Sequence, residues 1–328
     1  MSRRSRRTPA PLPQRDGIGP VRVRLPLEGP WATVREHLVE RLPVAAAEVD
    51  ALFAEGEVVT GDGRPVAADA PYVPGGQVWF HRRRAAEVPA PYPPVVLFRD
   101  EHLVVVDKPH FLATTPRGRH VTQTALALLR ARLGLPELSP AHRLDRLTAG
   151  LVLLTVRPAE RAAYQRLFSD RLVRKEYEAV AGYDPGLALP RTVRSRIVKE
   201  RGVIAAQEVP GEPNAETRVE LLAHRGSLGH YRLLPHTGRT HQLRVHLNSL
   251  GLPILGDPVY PQITDPAPDD FRRPLQLLAR TLEFTDPVTG TERRFTSTRD
   301  LTAWTAYDRW AQGVPDPARP RTGTRNGG

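Results

Sequence analysis

The stretch Pro140-Ala141-His142-Arg143-Leu144-Asp145-Arg146-Leu147-Thr148-Ala149-Gly150-Leu151-Val152-Leu153-Leu154-Thr155 decides how the rest of the chain is read. A polar segment holding one carboxylate passes through a glycine into an apolar run. Such a run beside a turn signal reads as a buried strand. Asp145 is therefore expected in an irregular segment leading into the core. Arg143 and Arg146 flank it, and opposite charge within ~4–6 Å lowers an Asp pKa by ~1–3 units. The pattern predicts an ionised carboxylate on a fixed base. An isolated aspartate of this kind is more often a plain ion-pair partner than a reactive group.

At 328 residues the chain is long enough for a sizeable core and more than one domain. Forty per cent apolar and 25% charged is globular composition. No run of about 18 apolar residues occurs, so no membrane span is expected. The Arg-rich N-terminus has no apolar stretch behind it and does not read as a signal peptide. There are no cysteines, which removes disulfides and thiolate metal sites and suits a reducing cytoplasm. Net charge is +11, and lysine occurs only at Lys108, Lys175 and Lys199. The positive charge is thus nearly all arginine, suited to bidentate phosphate contacts and to stacking on bases. A GC-rich genome would give the same bias.

Two further stretches carry polar residues beside regular apolar spacing. In Lys175-Glu176-Tyr177-Glu178-Ala179-Val180-Ala181-Gly182, alternation predicts a strand with Tyr177, Ala179 and Ala181 on one face. A buried tyrosine is usually a core aromatic with a bonded hydroxyl. In Pro235-His236-Thr237-Gly238-Arg239-Thr240-His241-Gln242-Leu243-Arg244-Val245-His246-Leu247, Thr240 can cap a helix whose Leu243, Leu247 and Leu250 face the core, with Gly251 closing it. Arg244 then lies beside the apolar face, half buried and aimed into a cleft. His224, His230, His236, His241 and His246 raise the question of a metal. A helical zinc pair needs i and i+4 spacing, and the last three are five apart, so no metal site is expected.

These three stretches, in this order, resemble the three motifs of the RluA-type pseudouridine synthases, across roughly residues 95–300. Tyr177 follows Asp145 by 32 residues, a family-like distance. Asp107-Lys108-Pro109 and Pro253-Ile254-Leu255-Gly256-Asp257-Pro258-Val259-Tyr260 extend the likeness. The resemblance implies an α+β chain. It would have a long mixed, mostly antiparallel sheet with flanking helices, plus a small N-terminal α/β module. It implies isomerisation of uridine to pseudouridine within structured RNA, rRNA or tRNA. It further implies a cytoplasmic monomer with no cofactor and no metal, whose partner is its RNA substrate. A silent RNA-binding or ribosome-assembly factor on the same fold is the alternative.

By resemblance, Asp145, Tyr177 and Arg244 carry catalysis: Arg244 holds and orients Asp145, and Tyr177 stacks on the target base. Arg143, His142, Lys108, Arg239 and Lys175 are the residues expected to contact RNA. Arg143 would fill the gap left by a base swung out of its stack, a step costing a few kcal/mol. The chain departs from the family at Ala149, where serine is usual, and at Leu147, Ala181 and His110-Phe111. The family usually shows a histidine in the strand entering Leu282-Glu283-Phe284, and Gln276-Leu277-Leu278-Ala279-Arg280 has none.

Around that domain, residues 1–20 read as a disordered basic arm and 313–328 as a disordered tail. Residues 21–84 form a module similar to the alpha-L RNA-binding type. Thr33-Val34-Arg35-Glu36 is a capping box opening its first helix. A second helix carries Val49, Leu52 and Phe53, and short strands follow at Val58-Val59 and Val78-Trp79-Phe80. Between 21 and 81 five arginines face nine acids, a net charge of −4, so the module is a degenerate version. Residues 85–94 are a Pro-rich linker, and 95–312 the expected catalytic domain. Within it, Thr122 is expected to cap a helix bearing Leu126, Leu129 and Leu133. Pro158 should start another with Tyr164, Phe168 and Leu172 buried. Residues 184–214, with Arg191, Arg194, Arg196, Lys199 and Arg201, read as a poorly patterned β excursion forming a basic loop.

Overall fold

The computed structural model describes residues 10–314; residues 1–9 of the arm expected at 1–20 and 315–328 of the tail expected from 313 lie outside them. Within residues 10–20, Arg15 and Ile18 exchange backbone hydrogen bonds, so this part is not the disordered arm expected. The chain forms two compact units that divide between Glu87 and Val88.

The first unit holds β1 (Val21–Arg24), α1 (Val34–Arg41), α2 (Ala46–Ala54), β2 (Val59–Thr60) and β3 (Gln77–Phe80). Its three strands run antiparallel in the order β1-β3-β2. The expected capping box is present: Thr33 accepts from the Glu36 amide, and Glu36 reaches back to the Thr33 amide. Val34, Leu38, Val49, Leu52 and Phe53 bury against Val23, Val78 and Phe80. Strand β1 was not foreseen; its Val-Arg-Val-Arg alternation buries only Val23 and leaves a weak signal.

The second unit opens with β4 (Val95–Arg99), β5 (Leu103–Lys108), α3 (Ala125–Leu133), β6 (Ser139–Pro140) and β7 (Ala149–Thr155). A 3-10 turn at Pro158–Glu160 then leads into α4 (Arg161–Ser169) and β8 (Arg174–Gly182). After these come β9 (Arg191–Val198), β10 (Gln207–Val209), β11 (Ala215–Arg225), β12 (Leu228–Pro235) and α5 (Gln242–Ser249). Strands β13 (Leu277–Thr285) and β14 (Glu292–Thr296) and helices α6 (Thr302–Thr305) and α7 (Tyr307–Ala311) finish it. One 11-stranded sheet runs β10-β9-β11-β12-β8-β13-β7-β5-β4, with β14 on β13 and β6 on β7. Every pairing is antiparallel except β13 with β7, so the sheet is mixed and mostly antiparallel as expected.

Every residue of β5 and β7 is buried. Their period-2 alternation sends Val104, Val106, Val152 and Leu154 toward α3, and Leu103, Val105, Leu151 and Leu153 toward α4. A strand covered on both faces has no polar side, which is why the run after Asp145 is continuously apolar. Trimming one such leucine to alanine costs ~2–5 kcal/mol. At the parallel crossing, Gly150 has φ +111, and a Cβ there would meet the Ala279 carbonyl oxygen at 2.3 Å. Glycine is therefore required where the Asp145 segment enters the core.

Several local expectations are corrected. The cap of α3 is Thr124, not Thr122; its hydroxyl accepts from the Ala127 amide. Leu172 is 63% exposed, because α4 ends at Ser169 and a left-handed Arg171 turns the chain away. Leu167 takes the buried place beside Tyr164. The β excursion expected at 184–214 holds β9 and β10, and β9 pairs with both β11 and β10. Arg194 on it is held by Glu216.

Candidate active site

The segment between β6 and β7 is fixed through its backbone. The Thr114 hydroxyl donates to the Leu144 carbonyl at 2.9 Å and accepts from its amide at 3.1 Å. His110 Nδ1 donates to the Leu147 carbonyl at 2.7 Å. Lys108 Nζ donates to the carbonyls of Pro109, Leu112 and Arg146 at 2.9, 2.8 and 3.4 Å. Lys108 is 0% exposed, so the expected RNA contact is corrected: it is a clamp on this loop. Burial, followed by the charge of Arg299, holds its pKa well below the ordinary lysine value.

Asp145 stands on this clamped loop with 35% of its side chain exposed. Its Oδ2 lies 3.6 Å from Arg244 Nη1 and 3.9 Å from His241 Nε2. Among the described residues, neither flanking arginine pairs with it. Arg146 instead donates to the Phe111 carbonyl at 3.4 Å and lies over that ring. Arg143 is exposed and lines the cleft.

Arg244 comes from the first turn of α5 and is buried, more deeply than the half-burial expected. It makes a bidentate pair with Asp257, Nε to Oδ2 at 2.7 Å and Nη2 to Oδ1 at 2.6 Å. The Asp257 side chain is itself fully buried, and it also accepts from the Val259 and Tyr260 amides. The Tyr260 ring packs against the guanidinium at 5.3 Å. The remaining nitrogen, Nη1, faces Asp145.

The helix start departs from the expected Thr240 cap. His241 occupies the left-handed region with φ 58 and gives no side-chain cap. Gln242 ties the preceding loop to β11: its Oε1 accepts from the Thr237 hydroxyl and the Arg239 amide, and its Nε2 donates to the Glu216 carbonyl and Thr217. The strained turn brings His241 to the cleft. The Tyr260 hydroxyl donates to the Ala206 carbonyl and accepts from the Ala206 amide. Its remaining lone pair accepts from His241 Nδ1 at 3.0 Å, leaving Nε2 toward Asp145. Burial, then the Arg244 charge, lowers the His241 pKa.

Tyr177, from β8, completes the wall. Burial first, and then the Asp145 charge, pushes its phenol well above the ordinary tyrosine value. The cleft encloses about 430 Å³, lined by Asp145, Tyr177, Arg244, His241, Arg143, Arg146, Lys175 and Arg239 with threonines 114, 115, 148, 237 and 240. Lys175 Nζ donates to the Thr237 carbonyl and Arg239 Nε to the Asn214 carbonyl, and both side chains line the cleft. His142 does not. Its Nε2 accepts from the Leu153 amide and its ring stacks on Phe168 at 4.2 Å. It braces the strand.

Sequence reasoning missed Asp257, Tyr260 and His241 as site residues. The available signal was an acid between glycine and proline just after α5. The other histidines are separately engaged, His230 by Glu178, His236 by Arg171 and His246 by Thr217 and Ser195. Among the described residues no group of three His, Cys, Asp or Glu could hold a metal ion, and no helix is long and apolar enough to cross a membrane.

A family model described as RNA pseudouridylate synthase matches residues 102–249. The dual-specificity RNA pseudouridine synthase RluA of Haemophilus influenzae is 31% identical over 221 residues, covering 63% of this chain and 93% of that protein. This chain belongs to the RNA pseudouridylate synthase family. Another family member, human pseudouridylate synthase RPUSD2, is 37% identical over 166 residues, covering 50% of this chain and 30% of the human protein. The chain therefore matches less than a third of that relative's length. Among solved structures of pseudouridylate synthases, human RNA pseudouridylate synthase domain containing 4 shares 26% identity and a TM-score of 0.49, covering 66% of this chain and 91% of that one.

Proposed function

We propose that this chain isomerises uridine to pseudouridine at specific positions in structured RNA, either rRNA or tRNA. The observation that carries the reading is one cleft holding Asp145, Tyr177 and the anchored Arg244. In this reaction the bond from ribose C1′ to base N1 breaks and a bond from C1′ to C5 forms. C5 loses a proton and N1 gains one, so the isomerisation balances internally and draws on no redox agent. Asp145 acts as nucleophile or base beside the sugar. Arg244 presents one nitrogen to it and keeps the carboxylate oriented. Tyr177, protonated, stacks on the base. The target uridine leaves its stack to enter the cleft, and Arg143, two residues from Asp145 on the exposed rim, takes its place among the bases.

The test is direct. The purified protein is incubated with total RNA from a strain lacking it, and new pseudouridine is mapped by position. Site-specific pseudouridine supports the reading. RNA binding with no new pseudouridine would favour a silent RNA-binding factor on the same fold.

A further inference from the structure

His241 is fixed twice over, at its backbone and at its ring. The backbone sits in the left-handed region at φ 58, just before α5. Such a conformation is costly for a residue with a side chain and clusters at functional sites. The ring is set by Tyr260. That hydroxyl has one proton, which it gives to the Ala206 carbonyl at 2.9 Å, and it accepts from the Ala206 amide at 2.8 Å. It offers His241 a lone pair, so the imidazole proton lies on Nδ1, 3.0 Å away. Burial, and then the Arg244 charge, lowers the pKa below the ordinary histidine value and keeps the ring neutral at pH 7. In a neutral ring protonated on Nδ1, Nε2 is an acceptor.

The carboxylate beside that nitrogen cannot satisfy it. Asp145 Oδ2 lies 3.9 Å from Nε2, beyond hydrogen-bond reach, and an ionised carboxylate only accepts. Among the described residues the ring's one hydrogen bond is the one through Nδ1. Both side chains line the cleft, so two acceptors border one point open to substrate. A group entering there must be a donor, because an acceptor would meet two lone pairs.

The substrate narrows the choice. In a nucleotide inside an RNA strand the 3′ and 5′ oxygens are esterified, and the ribose keeps a single hydroxyl, on C2′. The one N–H of uracil, at N3, is separated from the sugar-bearing N1 by a carbonyl carbon. In the reaction proposed above Asp145 works beside C1′, and C2′ is bonded to C1′. We infer that His241 accepts a hydrogen bond from the 2′-hydroxyl of the target ribose, and that this contact selects RNA over DNA at the modified nucleotide. The contact presupposes the uridine reaction proposed above. His241 touches no atom whose bonds change, so its part is recognition of the sugar.

The test uses the full-length protein and a stem-loop RNA carrying the uridine mapped in the pseudouridine assay, with ribose or 2′-deoxyribose at that one nucleotide. Conversion to pseudouridine leaves the C2′ hydroxyl in place, so the two RNAs can be compared by equilibrium binding. Wild type is expected to prefer the ribose form by roughly five- to tenfold, the worth of one hydrogen bond. His241→Asn suits the left-handed backbone and keeps a polar atom near the place of Nδ1, but carries nothing at the place of Nε2. It should bind both RNAs equally. His241→Gln puts an amide oxygen near the place of Nε2 and should restore the preference, whatever its overall affinity. A purely structural role for His241 would weaken both RNAs alike and leave their ratio unchanged. Equal binding of the two RNAs by wild type, or an unaltered ratio in His241→Asn, overturns the contact while the RNA reading stands. Loss of the preference in both variants would mean a displaced sugar pocket and would count against the contact. If wild type forms no pseudouridine in any RNA, the uridine reading falls, and this contact with it.

Discussion

Arg244 spends two of its nitrogens on Asp257 and turns the third toward Asp145, 3.6 Å away. The buried pair with Asp257 fixes the guanidinium plane, so the exposed carboxylate is oriented by a group that has no freedom to follow it. Asp257→Ala leaves a buried guanidinium without its partner. We predict a loss of ~3–5 kcal/mol in urea unfolding, with turnover falling more than RNA affinity. A variant that folds less stably yet turns over normally once folded would show that Arg244 needs no anchor.

Tyr177 is expected to act through its ring. Its raised pKa keeps the phenol neutral through and beyond the ordinary tyrosine value of about 10, so no alkaline limb in turnover should arise from it there. Tyr177→Phe should retain RNA affinity, and Tyr177→Ala should lose ~1–3 kcal/mol of it, the worth of one stacked base. Equal affinity for the two variants, measured by equilibrium binding, would remove the stacking role.

Acid should destabilise the fold through two half-buried histidines. Burial lowers His110 and His142 to about 3. At pH values between that and the unfolded value of about 6.5, the unfolded chain binds protons that the folded chain refuses. Unfolding free energy therefore rises with pH in this window and is lost as pH falls, by up to about 1.4 kcal/mol per pH unit for each histidine. Urea titrations across the window check this; His142→Gln should flatten the slope, and an unchanged slope would count against a neutral His142.

Arg143 is exposed at the rim of the cleft. Arg143→Ala is predicted to slow turnover on a duplex-embedded uridine more than on a single-stranded minimal RNA, because only the duplex needs the vacated stack filled. Equal slowing on both substrates would assign Arg143 to plain affinity.

Much of this architecture was legible in the residues. The apolar run after Gly150 announced β7, alternation announced β8, and the spacing of Leu243 and Leu247 announced α5. These signals survive because each element buries one side or both against a neighbour. What stayed hidden depended on side chains meeting across the sheet. Nothing in Asp107-Lys108-Pro109 says that the lysine turns inward onto three carbonyls. Nothing near His142 says that Phe168, on a later helix, captures its ring. The Thr240 cap failed because the chain turns through a left-handed His241 just before α5, a backbone conformation that composition does not reveal. Asp257 stood in plain view within a glycine-proline turn, but its role depends on where Arg244 points.

The most direct measurement is pseudouridine formation on RNA lacking the modification, by wild type and by Asp145→Asn compared at equal RNA occupancy. The account predicts site-specific pseudouridine with wild type and none with the variant, although the variant still binds. Turnover by Asp145→Asn at or near the wild-type rate would contradict it.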